Sequence, residues 1–455
     1  MHPITTEERQ SATQEQLGRI RTLMENGTFA QVRRMLKALT PVEIARLISS
    51  SPAPSRPLIW GFVDKDDAGE VLEELPADIQ AEFLSQMNTQ DLVAMTEGLE
   101  PDDVVDILQN LPDQVTQEVL AAMSAQDRER VSLILAYDED TAGGLTNTDT
   151  ITVRPRFTLD VVLRYLRRHD DLPPSTDALI VVNKKDEYLG LLPLSVLLTN
   201  DPAITVREVM ETDRDPIPAA LPEKEVAALF EQHDWVSAPV VDEQGKLVGR
   251  ITIDDVVDVI RQNADHSLMG MAGLGEEEDT FAKARHTIGR RFIWLTVNLA
   301  TALISSSVIN LFKDTIEKVV VLAVLGPIVA SMGGVAGSQT LTVVIRGMAL
   351  GQIGQHNLNW LLSRELRVGL ANGVLLALLL GLGATWWFQD IKLGAILGLA
   401  LIFNLCTAAT FGALLPVFLK SLKIDPALAG AVTLTTFTDS IGYFAFLCLA
   451  SIFLT

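Results

Sequence analysis

Only two cysteines occur in 455 residues, Cys406 and Cys448, and both fall in apolar stretches. No disulfide framework is implied. The opening segment, MHPITTEERQ, has no hydrophobic core and does not read as a signal peptide. There is no GxxxxGK[ST] loop, metal-hydrolase histidine pair or nucleophile elbow, so the common marks of an enzyme are missing and none is expected. Positive charge is scarce in the first part of the chain. Residues 280–455 hold twelve Lys/Arg against six Asp/Glu, which leaves 24 against 52, a net of −28, in residues 1–279. So acidic a half repels nucleic acid. Cations are its natural partners, unless acidity serves solubility alone.

The second part is made of five apolar runs, 292–312, 319–345, 368–387, 393–419 and 427–454, each long enough to cross a bilayer. Basic residues alternate between the connectors. Arg285, Arg290 and Arg291 precede the first run, Arg346, Arg364 and Arg367 separate the second from the third, and Lys420 and Lys423 precede the fifth. The other loops hold Lys313 and Lys318 balanced by Asp314 and Glu317, then Lys392 beside Asp390. The positive-inside bias places the acidic half in the cytoplasm and Thr455 outside a plasma membrane.

Asp439 is the only charge in the fifth run. A carboxylate at bilayer depth costs roughly 2.5–3.5 kcal/mol even on lenient scales, so it must face protein, water or a cation. Thr433, Thr435, Thr436, Thr438 and Ser440 surround it and predict a polar, ion-facing surface; burial between helices is the bland alternative. The second run carries Pro327, Gly333, Gly334, Gly337 and Gln339. Proline and clustered glycines free backbone carbonyls and allow close helix approach. Carbonyl oxygens beside a membrane carboxylate suit hydrated Mg²⁺, which gives up its waters reluctantly. Tight helix packing explains the same glycines without an ion.

Residues 15–135 read as helices with loose repetition. Leu75-Pro76 returns as Leu111-Pro112, and Glu82, Phe83, Leu84 and Met87 return as Glu118, Val119, Leu120 and Met123, each 36 residues on. Proline is expected in the first turn of a helix, with apolar residues such as Val104, Val105, Ile107 and Leu108 following at helical spacing. From about 146 to 262 β-branched runs alternate with helices. Ala178–Val182, a polar turn and a second strand reappear around Ala238 to Ile253, with Gly245 in the turn. Asp255 and Asp258, three apart, share a helix face and repel unless a cation lies between them, while Asp234 precedes the next strand. A solvated acidic face is the alternative. An acidic run, Glu276, Glu277, Glu278 and Asp279, follows in the connector.

The repeated strand phrase resembles tandem CBS domains. That family implies paired βαβ-type modules that bind adenosyl nucleotides such as ATP. Thr252 and Asp255 match its ribose-contacting pattern; Pro193 and Val196 stand in the equivalent places of the first module. The whole order of parts resembles an MgtE-type magnesium channel or transporter, most specifically at Tyr137 to Gly143, in the Pro327–Gln339 stretch and at Thr438-Asp439 with Gly442. The resemblance implies a multi-domain membrane protein: an α-helical superhelical N domain over 1–136, α/β tandem CBS domains over 137–262, a connecting (plug) helix over 263–290 and a five-helix transmembrane domain over 291–455.

It further implies a homodimer in lipid, with a pore lined by second and fifth spans: Pro327, Gly333, Gly334, Gly337, Gln339, Thr435 and Thr438, with Asp439 holding hydrated Mg²⁺. Asp234, Asp255 and Asp258 match acids that bind cytosolic Mg²⁺ and close the pore. The chain departs from the family at Val335, where many members carry Asn, and at Ala431, which is polar in some relatives. Its connector begins Asn263, Asp265, His266 and Ser267, where others are richer in acids. The reading is passive inward Mg²⁺ conduction gated by internal Mg²⁺. Its rivals are transport of another divalent ion such as Co²⁺, cation/proton exchange, and a membrane-tethered nucleotide sensor.

Overall fold

The computed structural model describes residues 29–96, 99–168, 172–274, 279–349, 351–354 and 356–454. The opening decapeptide, the run Glu276 to Glu278 and Thr455 lie outside them. The chain forms two units, Met1–Asn263 with Asp279–Lys283, and Ala264–Glu278 with Ala284–Thr455.

The first unit begins with short helices whose inward faces make one apolar core from Val32 to Ile134. The 36-residue repeat is visible in its geometry. The Gln80 amide donates to the carbonyl of Leu72 at 3.2 Å, and the Thr116 hydroxyl donates to that of Leu108 at 3.1 Å. Phe83 and Leu84 are buried at one level, Val119 and Leu120 at the next. Pro41 and Pro101 open their helices, as expected. Pro76 and Pro112 instead stand one position earlier, as N-caps with extended ψ of 141° and 142°. The cap's carbonyl starts the helical ladder while its N–H is not needed, so proline fits there equally well.

Arg56 is 2% exposed and its guanidinium is held by both oxygens of Asp279, at 2.7 and 2.9 Å. Glu82 stands 3.9 Å away as a weaker partner. Breaking such a pair strands a buried charge, at a typical cost of about 3 kcal/mol. Asp279→Ala is therefore expected to lower the unfolding midpoint of the helical domain by several degrees, read by thermal melting.

Two three-stranded sheets follow, in order β1(Thr152–Val153)-β2(Ala178–Val182)-β3(Tyr188–Pro193) and β4(Ile217–Pro218)-β5(Ser237–Val241)-β6(Leu247–Thr252). In each, the first pair is parallel and the second antiparallel, with an irregularity at matching places, Val181/Val182 and Val240/Val241. The hairpin tips meet: Glu187 bridges Lys246, and Asp186 and Gly245 take positive φ at 63° and 77°. Glycine adopts that conformation at no steric cost and aspartate tolerates it. The Tyr137–Gly143 stretch packs on the second module, not the first. Ala142 and Gly143 donate backbone bonds to Leu221 and Ala219, and Tyr137 and Ala142 join the Phe230 core.

Among the described residues of the second unit, five helices are long and apolar enough to cross a membrane: Thr287–Leu311, Val321–Ala349, Leu358–Phe388, Ile391–Ser421 and Pro426–Phe453. They outrun the apolar stretches because polar residues continue the helix at its ends. Arg364, Glu365 and Arg367, for example, lie inside the third. The fourth is the most enclosed, with buried residues from Leu393 to Leu419. The helix Ile253–Met271 carries Asp255 and Asp258 at its start. Its end packs on spans: Gly270 lies against Ala427, His266 pairs with Asp425, and the Thr342 hydroxyl points to the sulfur of Met271 at 3.7 Å.

Candidate functional site

The membrane site is built by the second, fourth and fifth helices. A Cβ at Gly430 would sit 3.3 Å from Leu341, one at Gly337 3.0 Å from Leu434, and one at Gly326 3.0 Å from the Tyr443 ring. Rising number on one helix meets falling number on the other, so second and fifth helices run antiparallel. Asp439 then lies level with residues 330–331. It is half-buried, and forms no hydrogen bond or ion pair among the described residues. Within its own helix, Thr435 and Tyr443 stand one turn either side, at four-residue spacing.

The residues expected to line a pore fall on two faces. Pro327 and Gln339 are exposed, on a stripe with Val324, Ser331, Val335 and Thr342 at three- or four-residue spacing. Gly334 and Thr435 are at its edge, half-exposed, with Cγ2 of Thr435 3.9 Å from the place of a Gly334 Cβ. Gly333, Gly337 and Thr438 are buried in helix contacts. The helical period explains the split: adjacent glycines 333 and 334 point about 100° apart. Pro327 leaves the carbonyl of Ala323 without its helical donor.

The hydroxyls do not form one free polar face. Thr433, Thr435, Thr436 and Thr438 each donate to a carbonyl of their own helix. Apolar surroundings reward that internal bond, and only oxygen lone pairs remain to meet a ligand. Ser440 instead meets Ser305 of the first helix at 3.3 Å.

Two buried polar residues carry no signal in the sequence. Asn404, with no exposed surface, donates through Nδ2 to the carbonyl of Val329 at 2.7 Å, and its Oδ1 has no partner among the described residues. Glu365 is buried in the third helix, accepts from Thr340 at 3.2 Å and pairs with Arg364 at 2.6 Å. Its charge is balanced there; that of Asp439 is not.

A second cluster lies within the first unit. The helix Pro101–Gln109 brings Asp102, Asp103 and Asp106 toward Asp255. Burial, helped by the charges of Glu73, Glu100 and Asp255, pushes Asp103 up to about 8. Burial with Glu139, Asp255 and Asp258 pushes Asp106 up to about 7, and burial with Glu74 and Glu100 takes Glu73 to about 7. Asp102 is raised well above the usual range, by burial first and Asp255 second. Burial raises Asp255 to about 6, against hydrogen bonds from the Thr252 backbone and hydroxyl at 3.3 and 2.9 Å. Glu100 is raised by burial, although Arg250 and the Asn147 amide lower it.

Asp258 belongs to this cluster by charge, yet its side chain is exposed and meets Arg261 at 3.1 Å. Asp234 is exposed at the C-cap of Glu223–His233, with positive φ at 52°, and its charge is not among those pressing on Asp255. The pairing of Asp102, Asp103 and Asp106 with Asp255 escapes a reading of the sequence. Its available signal is three carboxylates set among Val104, Val105, Ile107 and Leu108, on a helix too apolar to leave them all in water.

A family model described as "Divalent cation transporter" matches residues 326–449, one described as "MgtE intracellular N domain" matches 39–140, and a CBS domain model matches 206–262. The magnesium transporter MgtE of Bacillus subtilis is 28% identical over 96% of this chain and 97% of its own length. That of Thermus thermophilus is 29% identical over 95% of this chain and 97% of its own length. A crystal structure of the cytosolic domain of the Mg²⁺ channel MgtE in complex with ATP is 31% identical, covering 53% of this chain and 98% of that one, with a TM-score of 0.49. With an MgtE intracellular N domain, a CBS domain and a divalent cation transporter domain matched in that order along it, and likeness to two MgtE transporters over nearly its whole length, the chain is a multi-domain membrane protein that belongs to the MgtE family of transporters.

Proposed function

We propose that this chain is a Mg²⁺-selective conduit that passes ions passively into the cell and closes when cytosolic Mg²⁺ is ample. The observation that carries the reading is Asp439, a carboxylate in a membrane helix with no cationic partner among the described residues. Such a charge is costly unless a cation visits it. Threonines whose donors are internally satisfied leave acceptor oxygens nearby, a surface suited to the water shell of Mg²⁺. The exposed stripe of the second helix, from Val324 to Thr342, supports assembly as a homodimer with the ion path between copies. The connector basics support a cytoplasmic first unit and an outside C-terminus.

The gate rests on Asp102, Asp103, Asp106 and Asp255, carboxyl groups that repel one another as they ionise. No three acids converge as a ready-made ion cage among the described residues. An ion held there is bridged through its waters, in keeping with Mg²⁺ chemistry. Helix Ile253–Met271 bears Asp255 near one end and packs on the second and fifth spans at the other, so one continuous element serves sensor and pore. Nucleotide at the CBS modules would tune this element from Thr252 and Asp255.

Mg²⁺ flux into proteoliposomes, with Mg²⁺ on the cytosolic face varied, tests the reading. Flux is expected to follow the gradient without proton movement and to fall as cytosolic Mg²⁺ rises. Stoichiometric proton counterflow would favour exchange instead, a preference for Co²⁺ another divalent carrier, and tight ATP binding without flux a nucleotide sensor.

A further inference from the structure

We propose that Asn404 is a positioning residue of the ion path, a wedge that sets how the second and fifth helices present Asp439 and the open stripe to each other. The inference rests on the reading of Asp439 as the ion site. Asn404 sits midway along the most enclosed helix, Ile391–Ser421, and has no exposed surface. Its amide fills the place of two missing side chains. A Cβ on Gly442 would lie 2.6 Å from Nδ2, and one on Gly333 would lie 2.8 Å from Cγ. Neither glycine is at positive φ, so backbone freedom does not call for them. Room for Asn404 does.

The wedge is also anchored. Nδ2 bonds the carbonyl of Val329, one turn before Gly333, which ties the fourth helix to the second at a fixed height. Gly442 is three residues from Asp439 on the fifth helix, nearly one turn. A rotation of that helix by about 20° would move a carboxylate carried about 5–6 Å from the axis by about 2 Å. That is a large error for a site that must read the water shell of an ion. Removing the amide therefore alters which ion is preferred, beyond how much protein survives.

The test compares uptake by wild type, Asn404→Ala, Gly442→Ala and the double variant in proteoliposomes at equal inserted protein. Asn404→Ala is expected to raise the half-saturating Mg²⁺ concentration at least about fivefold, a loss of about 1 kcal/mol in apparent binding. The same change is expected to lower the Mg²⁺ to Co²⁺ flux ratio at least about threefold. Gly442→Ala is expected to lose most flux alone and to regain it in the double variant, where Asn404→Ala vacates the space. A lower amplitude with unchanged half-saturation and unchanged ion ratio would reduce Asn404 to a packing residue. A harmless Gly442→Ala would refute the wedge. Should Asn404→Ala fail to insert, Asn404→Ser carries the same comparison. Asp439→Ala runs alongside: wild-type flux there defeats the ion-site reading, whereas its loss with unchanged Asn404 variants defeats only this inference.

Discussion

Asp439→Ala is expected to abolish Mg²⁺ uptake, by about two decades or more, while the protein still inserts. A divalent ion held through one water layer, about 6 Å from a carboxylate, gains about 5 kcal/mol at an effective dielectric of about 20. Ion desolvation offsets part of that. A remaining loss of about 3 kcal/mol is about two decades in occupancy. Asp439 contributes no hydrogen bond or ion pair to helix packing among the described residues, so its removal does not strand a partner. Asp439→Asn keeps the shape without the charge and is expected to behave like Asp439→Ala. Flux measured in vesicles at matched protein density decides the matter; near-normal uptake by the alanine variant would mean that the ion passes elsewhere.

The second large effect concerns the acids of the first unit. Asp103, Asp106, Glu73 and Asp255 have their affinity for protons raised in the packed arrangement, to about 8, 7, 7 and 6. A raised carboxyl favours the packed state while it is protonated. That advantage fades as pH climbs from the ordinary carboxylate range, about 4, through about 8, as the four become charged in turn and repel. Without Mg²⁺, protease protection of the packed unit is expected to be higher at about pH 6 than at about pH 8. Millimolar Mg²⁺ is expected to restore it at the higher pH, because only the packed state offers bridging sites and linkage demands such a difference.

Asp103→Asn, Asp106→Asn and Asp255→Asn combined remove both repulsion and ligand. The triple variant is expected to be protected at about pH 8 without Mg²⁺, with its Mg²⁺-dependent gain reduced at least about tenfold. Equal Mg²⁺ protection of variant and parent would place the sensor on other residues.

Much of this is legible in the sequence for local reasons. The five spans are written in long apolar runs, the two sheets in repeated β-branched phrases, and the helical repeat in a spacing of 36. What escapes depends on distant pairs. Asn404 sits in a run that reads as simply apolar, and its meaning arises only when Gly333 and Gly442 close around it. The glycines of the second helix look like an ion-lining stretch when read along the chain, yet Gly333 and Gly337 face inward and Gly334 stands half-exposed at the edge of the open stripe. Asp234 and Asp258 are acids in a plausible place, but an αL cap and a partner in Arg261 leave them on the surface. Asp103 and Asp106 become prominent only when folding buries them beside acids distant in the chain, Glu73 and Asp255 for the first and Glu139 and Asp255 for the second. Pro76 and Pro112 are a matter of one residue, which helix-start signals do not resolve.

The repeated Gln80–Leu72 and Thr116–Leu108 bonds imply a domain that behaves as a stack of nearest-neighbour layers. In such a stack, stability is close to a sum of layer and interface terms. Damage is therefore expected to stay local: loosening the layers near Phe29 should leave those carrying Asp103 and Asp106 folded. The stack also has compliance. Small tilts at each interface add along its length, so a displacement at one end can be shared among many modest adjustments without breaking any single layer. An acidic helix embedded near the far end of such a stack can draw close to, or swing away from, a charged neighbour while its own core remains intact.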